Sequence, residues 1–262
     1  MKIGFFYSCI MRPIHFFIPL TFLLFFSSKI FSQSLSKEAL IQKVWEACGG
    51  KSTFEKSQFI EFQFEVVREN KSLALRNHLW DRYTGDYRFQ YAINKDSLLT
   101  VLFNVNTKKG MSFINNFKVD VDSINSAYIL DAYETFINDT YWLMVPLKLE
   151  DAGVQTVLQG DTIIQNQNVS ILHLDFESGI GITDKDEYWL YINPKNGKII
   201  AWKYDLQGRK GKPRTYMWSD YQDLGKGLKL PLIKTTSDGK TKIQFPKAKV
   251  YETINLDRFK KL

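Results

Sequence analysis

The chain has 262 residues, of which 44% are hydrophobic and 15% aromatic, and it carries a formal net charge of +7. These values allow a full hydrophobic core, so one domain of ordinary to large size accounts for the sequence and a second domain is not required. Three of the positive charges, Lys2, Arg12 and Lys29, lie before Gln33 without an acidic neighbour. Seven minus three leaves a mild excess of +4 for the rest of the chain, and no nucleic-acid partner is predicted.

The segment before Gln33, positions 1–32, is predicted to be an export signal. Lys2 and Arg12 precede an apolar run at positions 13–26, and small and polar residues then lead to a cleavage site after Ser32. The mature protein is expected to be a single domain, Gln33–Leu262, in the periplasm, with association to the outer membrane as the alternative. A leader that is retained as a membrane anchor is also an alternative, which the short apolar run disfavours.

Cysteine positions limit the covalent chemistry of the exported protein. Cys9 precedes the apolar run, which is the wrong place for a lipid-modified N-terminal cysteine. Only Cys48 follows the leader, so the mature chain cannot form an intramolecular disulfide even in an oxidising compartment. For Cys48, a buried structural thiol is favoured over a nucleophile.

The mature chain is predicted to open with one amphipathic helix and to continue as a meander of strands. Between Ser36 and Cys48 the apolar residues recur at helical spacing, with Ser36 as N-cap and Gly49-Gly50 as the stop. The following strand patterns alternate apolar and polar residues, with a turn at Asn70-Lys71 after the first of them. The meander has at least five members: FIEFQFEVV, SLALRNHLWDR, DYRFQYAI, LLTVLFNVN and GMSFINNFKV.

A helix is predicted to interrupt the strands between Ile124 and Phe136, and the apolar segment YWLMVPL follows it. From Val154 onward seven strand patterns return, with turns at positions 194–197 and 237–240. Since no parallel βαβ rhythm occurs, the predicted fold class is α+β. We expect a large, curled antiparallel sheet with an N-terminal helix and one or more helices covering its concave face.

The sequence shows none of the usual motifs of catalysis or cofactor binding. His78 and His173 lie in strand patterns far apart, and ordinary packed or rim histidines are favoured over catalysis or metal binding. There is no zinc-type cluster, no phosphate loop and no serine-hydrolase elbow. The carboxylates Asp184, Asp186 and Glu187 are expected to lie in a solvated loop. We therefore predict a protein that is not an enzyme and has no metal and no cofactor.

Aromatic residues on both faces of several strands are the strongest functional signal. In YWLYI, for example, Trp189 and Tyr191 face opposite to Tyr188 and Leu190. One face must pack on helices or line a cavity, and a core covered by helices and a ligand cavity are both open interpretations. The candidates for core or cavity lining are Phe62, Phe64, Phe89, Tyr91, Trp189, Trp202 and Trp218.

The order of elements resembles the LolA-like lipoprotein-carrier superfamily: an export signal, a helix, a meander with LWDRYTGDYRFQY, a second helix and hairpins such as YWLYINPKNGKIIAWKYD. Within or near it, the segment NDTYWLMVPLKLEDAGV and the Trp/Tyr-rich hairpins resemble an uncharacterised family of exported proteins (DUF6503-like). The resemblance covers most of Leu35–Lys260. It implies an incomplete β-barrel, or half-barrel, whose concave face under a helical lid binds acyl chains.

The same resemblance implies an arginine that pins the helical lid. In these carriers, the strand after the first hairpin reads leucine-tryptophan, then a basic residue and proline. Leu79 and Trp80 match that start, Arg82 is offset from the position of the basic residue, and Thr84 stands where proline is expected. Arg82 is the candidate lid contact.

These observations predict a periplasmic binding or carrier protein that holds the acyl chain of a lipid or lipoprotein. Each methylene removed from water contributes about 0.8 kcal/mol, so a chain can bind without polar recognition. An envelope protein or a membrane surface is a further expected partner, and the basic stretch at positions 209–214 either attracts an anionic headgroup or is a solvated loop. Two alternatives stay open: a non-enzymatic envelope scaffold or interaction protein with a self-filled core, and a hydrolase in which His78 or His173 meets carboxylates in a cleft.

Overall fold

The computed structural model describes Met1 and residues 35–177, 186–206 and 212–262, and Leu35–Leu262 form one compact unit. The predicted cleavage site, Asp184 and positions 209–211 of the basic stretch lie outside the described residues. Within the described ranges, no helix combines the length and apolar character needed to cross a membrane.

The first helix confirms the sequence prediction. The Ser36 side chain accepts a hydrogen bond from the backbone N–H of Ala39, and Gly49 follows the helix with a φ of 99°, in the left-handed region that favours glycine. The second helix is a single short turn. Among the described residues the α-helices are α1 (Lys37–Ala47), α2 (Lys51–Glu55) and α3 (Asp122–Met144).

The third helix is longer than predicted. It continues past Phe136 to Met144, so the segment YWLM is its last turn and not a separate apolar stretch. The first proline after the helix start is Pro146, which lies in a 3₁₀ turn, Val145–Leu147, beyond the helix end. The sequence therefore contains no residue that breaks the helix before that point.

In the ranges that the structure describes, fourteen strands form one antiparallel sheet, which confirms the predicted fold class. The last predicted strand, KIQFPKAKV, is divided in two at Pro246, because proline cannot donate to the ladder. The strands are β1 (Phe59–Arg68), β2 (Lys71–Asp81), β3 (Asp86–Asn94), β4 (Ser97–Asn104), β5 (Lys109–Ile114), β6 (Phe117–Lys118), β7 (Val154–Ile164), β8 (Gln167–Phe176), β9 (Glu187–Ile192), β10 (Ile199–Asp205), β11 (Arg214–Asp223), β12 (Lys229–Thr236), β13 (Thr241–Gln244) and β14 (Ala248–Tyr251).

Strand β1 joins two meanders into a single sheet. The order is β6-β5-β4-β3-β2-β1-β13-β12-β11-β10-β9-β8-β7, so the first meander lies on one side of β1 and the second on the other. On that second side, β13 pairs with Glu65–Arg68 and β14 pairs with Phe59–Phe62. In the described part of the chain the sheet is open, with β6 and β7 as its edges.

The helices lie on one face of the sheet, which we call the inner face. In β1 the inner-face residues Ile60, Phe62 and Phe64 are buried, whereas Glu61 and Gln63 on the outer face are only half-buried. A large core cluster unites α1, the end of α3, β1 and strands β8 to β12. A smaller one lies between β3, β4 and the first two-thirds of α3. Each large side chain that is removed from water in this way contributes about 1.5–3 kcal/mol.

Candidate functional site

A pocket of about 530 Å³ lies between the C-terminal half of α3 and strands β8, β9 and β10. Its volume is within the range of about 300–1,000 Å³ that is usual for small-molecule sites. Seven of the sixteen lining residues are aromatic and three are charged. The lining consists of Phe136, Ile137, Asn138, Thr140, Tyr141, Trp142, Lys148, Asp151, Ala152, Val154, Phe176, Asp186, Tyr188, Trp202, Tyr204 and Leu206. The pocket thus presents a mostly apolar wall that is rich in aromatic residues and has a few charged groups.

Trp202 is at the centre of the aromatic wall. Between ring centroids, it lies 4.5 Å from Trp142 of α3 and 5.3 Å from Tyr188 of β9, and Tyr141 approaches it edge-on at 5.7 Å. Such pairs contribute about 0.5–1.5 kcal/mol each beyond the burial of area. Since these contacts join α3 to β9 and β10, they hold two walls of the pocket together.

A β-bulge in β10 helps to direct these side chains. Ile199 pairs with Ile192, but the next paired residue is Ala201, which faces Tyr191. The extra residue reverses the alternation, so that Ile199 and Trp202 lie on the same face although an odd number of positions separates them. Trp202 therefore joins the inner face beside Tyr188 and Leu190 of β9.

The wall contains two hydrogen-bonding groups that the described residues leave unused. The hydroxyl of Tyr141 and the indole Nε1 of Trp202 are buried and have no partner there. Burial raises the pKa of Tyr141 well above its usual value, so the hydroxyl stays protonated at neutral pH. Among the charged lining residues, Lys148 and Asp151 form an ion pair with 3.2 Å between Nζ and Oδ2.

A buried polar network attaches α3 to strand β2. The Arg76 guanidinium donates two hydrogen bonds of 2.7 Å to the carboxylate of Asp139, which is fully buried. His78 Nε2 lies 3.1 Å from the same carboxylate, and His78 Nδ1 lies 2.8 Å from the hydroxyl of Tyr87. Burial lowers the pKa of His78, an effect that the Asp139 carboxylate opposes and Arg76 reinforces. The imidazole is therefore neutral at pH 7, and the charge pair of the network is that of Arg76 and Asp139.

Arg82 makes contacts other than the expected one with the lid. Its Nη1 donates to the carbonyl oxygens of Phe54 at 2.6 Å and Ser57 at 2.8 Å, and its guanidinium lies 3.7 Å from the ring centroid of Phe54. It holds α2 and the chain that enters β1. The arginine that contacts α3 is Arg76, which pairs with Phe64 in register and therefore lies on the inner face.

Six of the seven predicted core or cavity residues lie on the inner face, but they do not share one site. Trp202 lines the pocket. The other five are packed in the two core clusters or against them: Phe62, Phe64, Phe89, Tyr91 and Trp218. Most of the predicted set is thus occupied by contacts within the protein.

Trp189 lies on the outer face of the sheet, so its prediction as a core or cavity residue needs correction. Its ring packs beside the imidazole of His173, with 5.1 Å between centroids, and the Lys203 ammonium lies 4.1 Å from its centroid. The reason is strand alternation, because Trp189 follows Tyr188, which faces inward.

The predicted solvated carboxylate loop also needs correction. Asp184 is outside the described residues. Asp186 is only 3% exposed and lines the pocket, so the expectation was wrong for this residue. Glu187 is exposed and begins β9 on the outer face.

A buried amine lies on the inner face of β12. Lys234 is fully buried, and its Nζ donates to the carbonyl oxygen of Pro231. The same atom lies 4.9 Å from the ring centroid of Trp218 and 4.4 Å from that of Phe245. Burial lowers the pKa of Lys234 well below its usual value. The amine is therefore a polar group in an apolar part of the core, next to the aromatic wall and outside the pocket lining.

Of the network, sequence reasoning named only His78, as a candidate to meet carboxylates, and it did not select Arg76, Asp139 or most of the pocket wall. A signal was present in β2, where Arg76 and His78 share the parity of Trp80, so two polar side chains are directed toward a buried face. Such groups require a buried partner, and Asp139 is a carboxylate within an apolar part of α3. Their meeting across 63 residues is visible only in the folded chain.

Comparisons with known proteins add the following findings. The model of a family of unknown function, DUF6503, matches residues 14–245. A comparison with curated proteins finds no match. Among solved structures, the chain is similar to a DUF1329 family protein from Desulfovibrio piger, with 10% identity, a TM-score of 0.48 and coverage of 85% of this chain and 96% of that one. It is also similar to a LolA superfamily protein from Nitrosomonas europaea, with 9% identity, a TM-score of 0.42 and coverage of 78% and 94%.

Proposed function

Because this chain belongs to the DUF6503 family, whose function is unknown, we propose its function from its own geometry: it binds and carries the acyl chain of a lipid or lipoprotein. The observation that carries this proposal is the aromatic pocket of about 530 Å³ around Trp202. The ligand lies against Trp142, Tyr188 and Trp202, with its polar end toward Lys148 and Asp151.

Apolar burial supports a useful affinity for such a ligand. Each methylene that leaves water contributes about 0.8 kcal/mol, so about eight methylenes contribute about 6 kcal/mol before the cost of association. A mostly apolar wall makes few directional demands, which suits a carrier that must also release its cargo. The unused donors of Tyr141 and Trp202 favour a ligand with an acceptor oxygen near its apolar part.

We place this activity in the periplasm, after export. The support is the charge and hydropathy pattern of positions 1–32, with Lys2 and Arg12 before an apolar run and small residues before Ser32. An envelope protein or a membrane surface is the proposed partner for loading and delivery.

One observation favours a second candidate, an envelope scaffold or interaction protein with a self-filled core. The middle of the inner face is closed by its own aromatic contacts, since Phe245 lies 6.0 Å from Phe62 and 5.6 Å from Phe64 between centroids. The hydrolase hypothesis has weaker support: His78 meets the carboxylate of Asp139, but it is only 1% exposed and no substrate reaches it.

The pocket is tested by filling it at Ala152, an exposed residue of its lining. The purified protein is titrated with a fluorescent fatty acid, and bound lipid is extracted and identified by mass spectrometry. We expect Ala152→Phe to weaken binding at least about tenfold, because the added ring occupies volume that the acyl chain needs.

The matched control is Ala127→Phe, the same change at an exposed position of α3 outside the lining. It should bind the fatty acid like the unaltered protein. Failure of the unaltered protein to carry lipid or to take up the fatty acid would contradict the carrier proposal and favour the scaffold. Equal loss of binding in both variants would show that the pocket around Ala152 is not the site.

A further inference from the structure

Three metal-binding side chains meet on the outer face of the sheet, opposite to the pocket. His173 and Asp175 are two residues apart in β8, so both point outward. Leu174 pairs with Tyr188 of β9, and this register places Glu187 beside Asp175 on the same face. Asp175 and Glu187 belong to different strands, so the cluster is a product of strand pairing.

The distances fit a single ion. His173 Nδ1 lies 3.3 Å from Asp175 Oδ2, and one donor atom from each of the three residues lies within 4.8 Å of the other two. Two donors bound to one tetrahedral zinc at about 2.0–2.1 Å lie about 3.3–3.4 Å apart. His173 Nδ1 and Asp175 Oδ2 already have this separation. Glu187 is exposed, so a change of side-chain rotamer brings its carboxylate closer by the remaining distance.

The surroundings hold the imidazole in place and contribute a further carboxylate. The His173 side chain is 12% exposed and packs beside Trp189. Asp205 of β10 pairs with Glu187 in register and adds a third carboxylate on this part of the outer face. All three donor residues lie in strands and not in loops, which lowers the cost of ordering the site.

We propose that His173, Asp175 and Glu187 bind a divalent first-row transition metal of the zinc class. One imidazole nitrogen with two carboxylate oxygens is a donor set for such ions, while Ca²⁺ and Mg²⁺ prefer oxygen alone. Three protein ligands leave a fourth position for water or for a donor of another molecule. The function of this site is independent of the acyl-chain proposal.

A metal ion at this site would connect the ends of β8 and β9 that also carry pocket residues. Phe176 and Tyr188, which line the pocket, lie on the inner face at the same ends of β8 and β9. An ion that links Asp175 to Glu187 ties these two strand ends together directly behind the pocket wall.

Zinc binding to the purified protein, prepared without a polyhistidine tag, is measured by isothermal titration calorimetry. We expect one Zn²⁺ per chain, with an affinity at least about tenfold weaker in His173→Gln and in Glu187→Gln. The charge-matched control is Glu177→Gln, at an exposed position after β8, which should bind zinc like the unaltered protein. Circular dichroism confirms that the variants are folded.

A spectroscopic readout locates the ion independently. Because Trp189 is 5.1 Å from His173 between ring centroids, Co²⁺ at this site should quench its fluorescence. The quench should be lost in Trp189→Phe while Zn²⁺ still binds. Absence of stoichiometric zinc binding, or binding that His173→Gln and Glu187→Gln leave unchanged, would overturn the proposal.

Discussion

Replacing Asp139 with asparagine tests whether the buried network holds α3 against the sheet. The change keeps the shape of the side chain and removes its charge. Arg76 then has no anionic partner for the two hydrogen bonds of 2.7 Å that it makes now. We expect Asp139→Asn to lower the free energy of unfolding.

The magnitude follows from the burial of the two partners. Removing one member of a buried ion pair costs about 3–5 kcal/mol, because the other charge is left without compensation. Asp139 is fully buried, but the Arg76 side chain is 23% exposed and regains some hydration. The asparagine oxygen also still accepts one hydrogen bond. The expected loss is therefore about 2–4 kcal/mol, a large share of the roughly 5–15 kcal/mol that stabilises a typical domain.

Urea unfolding followed by circular dichroism measures this loss. The matched control is Asp131→Asn, the same substitution at an exposed position of α3, which should change stability by less than about 0.5 kcal/mol. A loss below about 1 kcal/mol for Asp139→Asn, or equal losses in the two variants, would refute the view that this network fixes the helix.

Two further predictions concern buried groups of the core. Lys234→Met should raise the free energy of unfolding at pH 7 by about 1–3 kcal/mol, because it removes a fully buried amine whose protonated form burial disfavours. Because burial lowers the pKa of Lys234 in the folded state, the unfolded chain binds more protons, and the unaltered protein should gain stability as the pH rises toward the unfolded pKa of about 10.4. This gain should shrink in the variant, and unchanged profiles would contradict the burial of the amine. Cys48 is 1% exposed, and burial raises the pKa of its thiol to about 12. It should react with a thiol reagent at pH 8 at least about 100-fold more slowly in the folded than in the urea-unfolded protein, and a fast native reaction would show that α1 opens readily.

The pocket proposal and the metal-site proposal are contradicted by different measurements. Loss of fatty-acid binding in Ala152→Phe concerns only the inner face, while loss of zinc binding in Glu187→Gln concerns only the outer face. The two sites lie on opposite sides of β8 and β9. Measuring both ligands on both variants therefore separates the two proposals.

The sequence by itself determined the local elements and the faces of the strands. Helical spacing with Ser36 and Gly49 predicted α1, and the alternation of Ile60, Phe62 and Phe64 predicted a strand with one buried face. These signals are reliable because they come from neighbours along the chain, which repeat with the period of a helix or of a strand. They also predicted an antiparallel sheet with helices on one side.

Only the tertiary structure decided which inner-face residues form the core and which line the pocket. The pairing of β1 with β13 and β14, the bulge that turns Trp202 inward and the meeting of Arg76 with Asp139 all depend on residues that are distant in sequence or on an irregular register. The same holds for His173 and Glu187, which strand pairing brings together. Alternation assigns a side chain to a face, but its neighbours on that face depend on strand order and register, and these are set by the energy of the whole packed core.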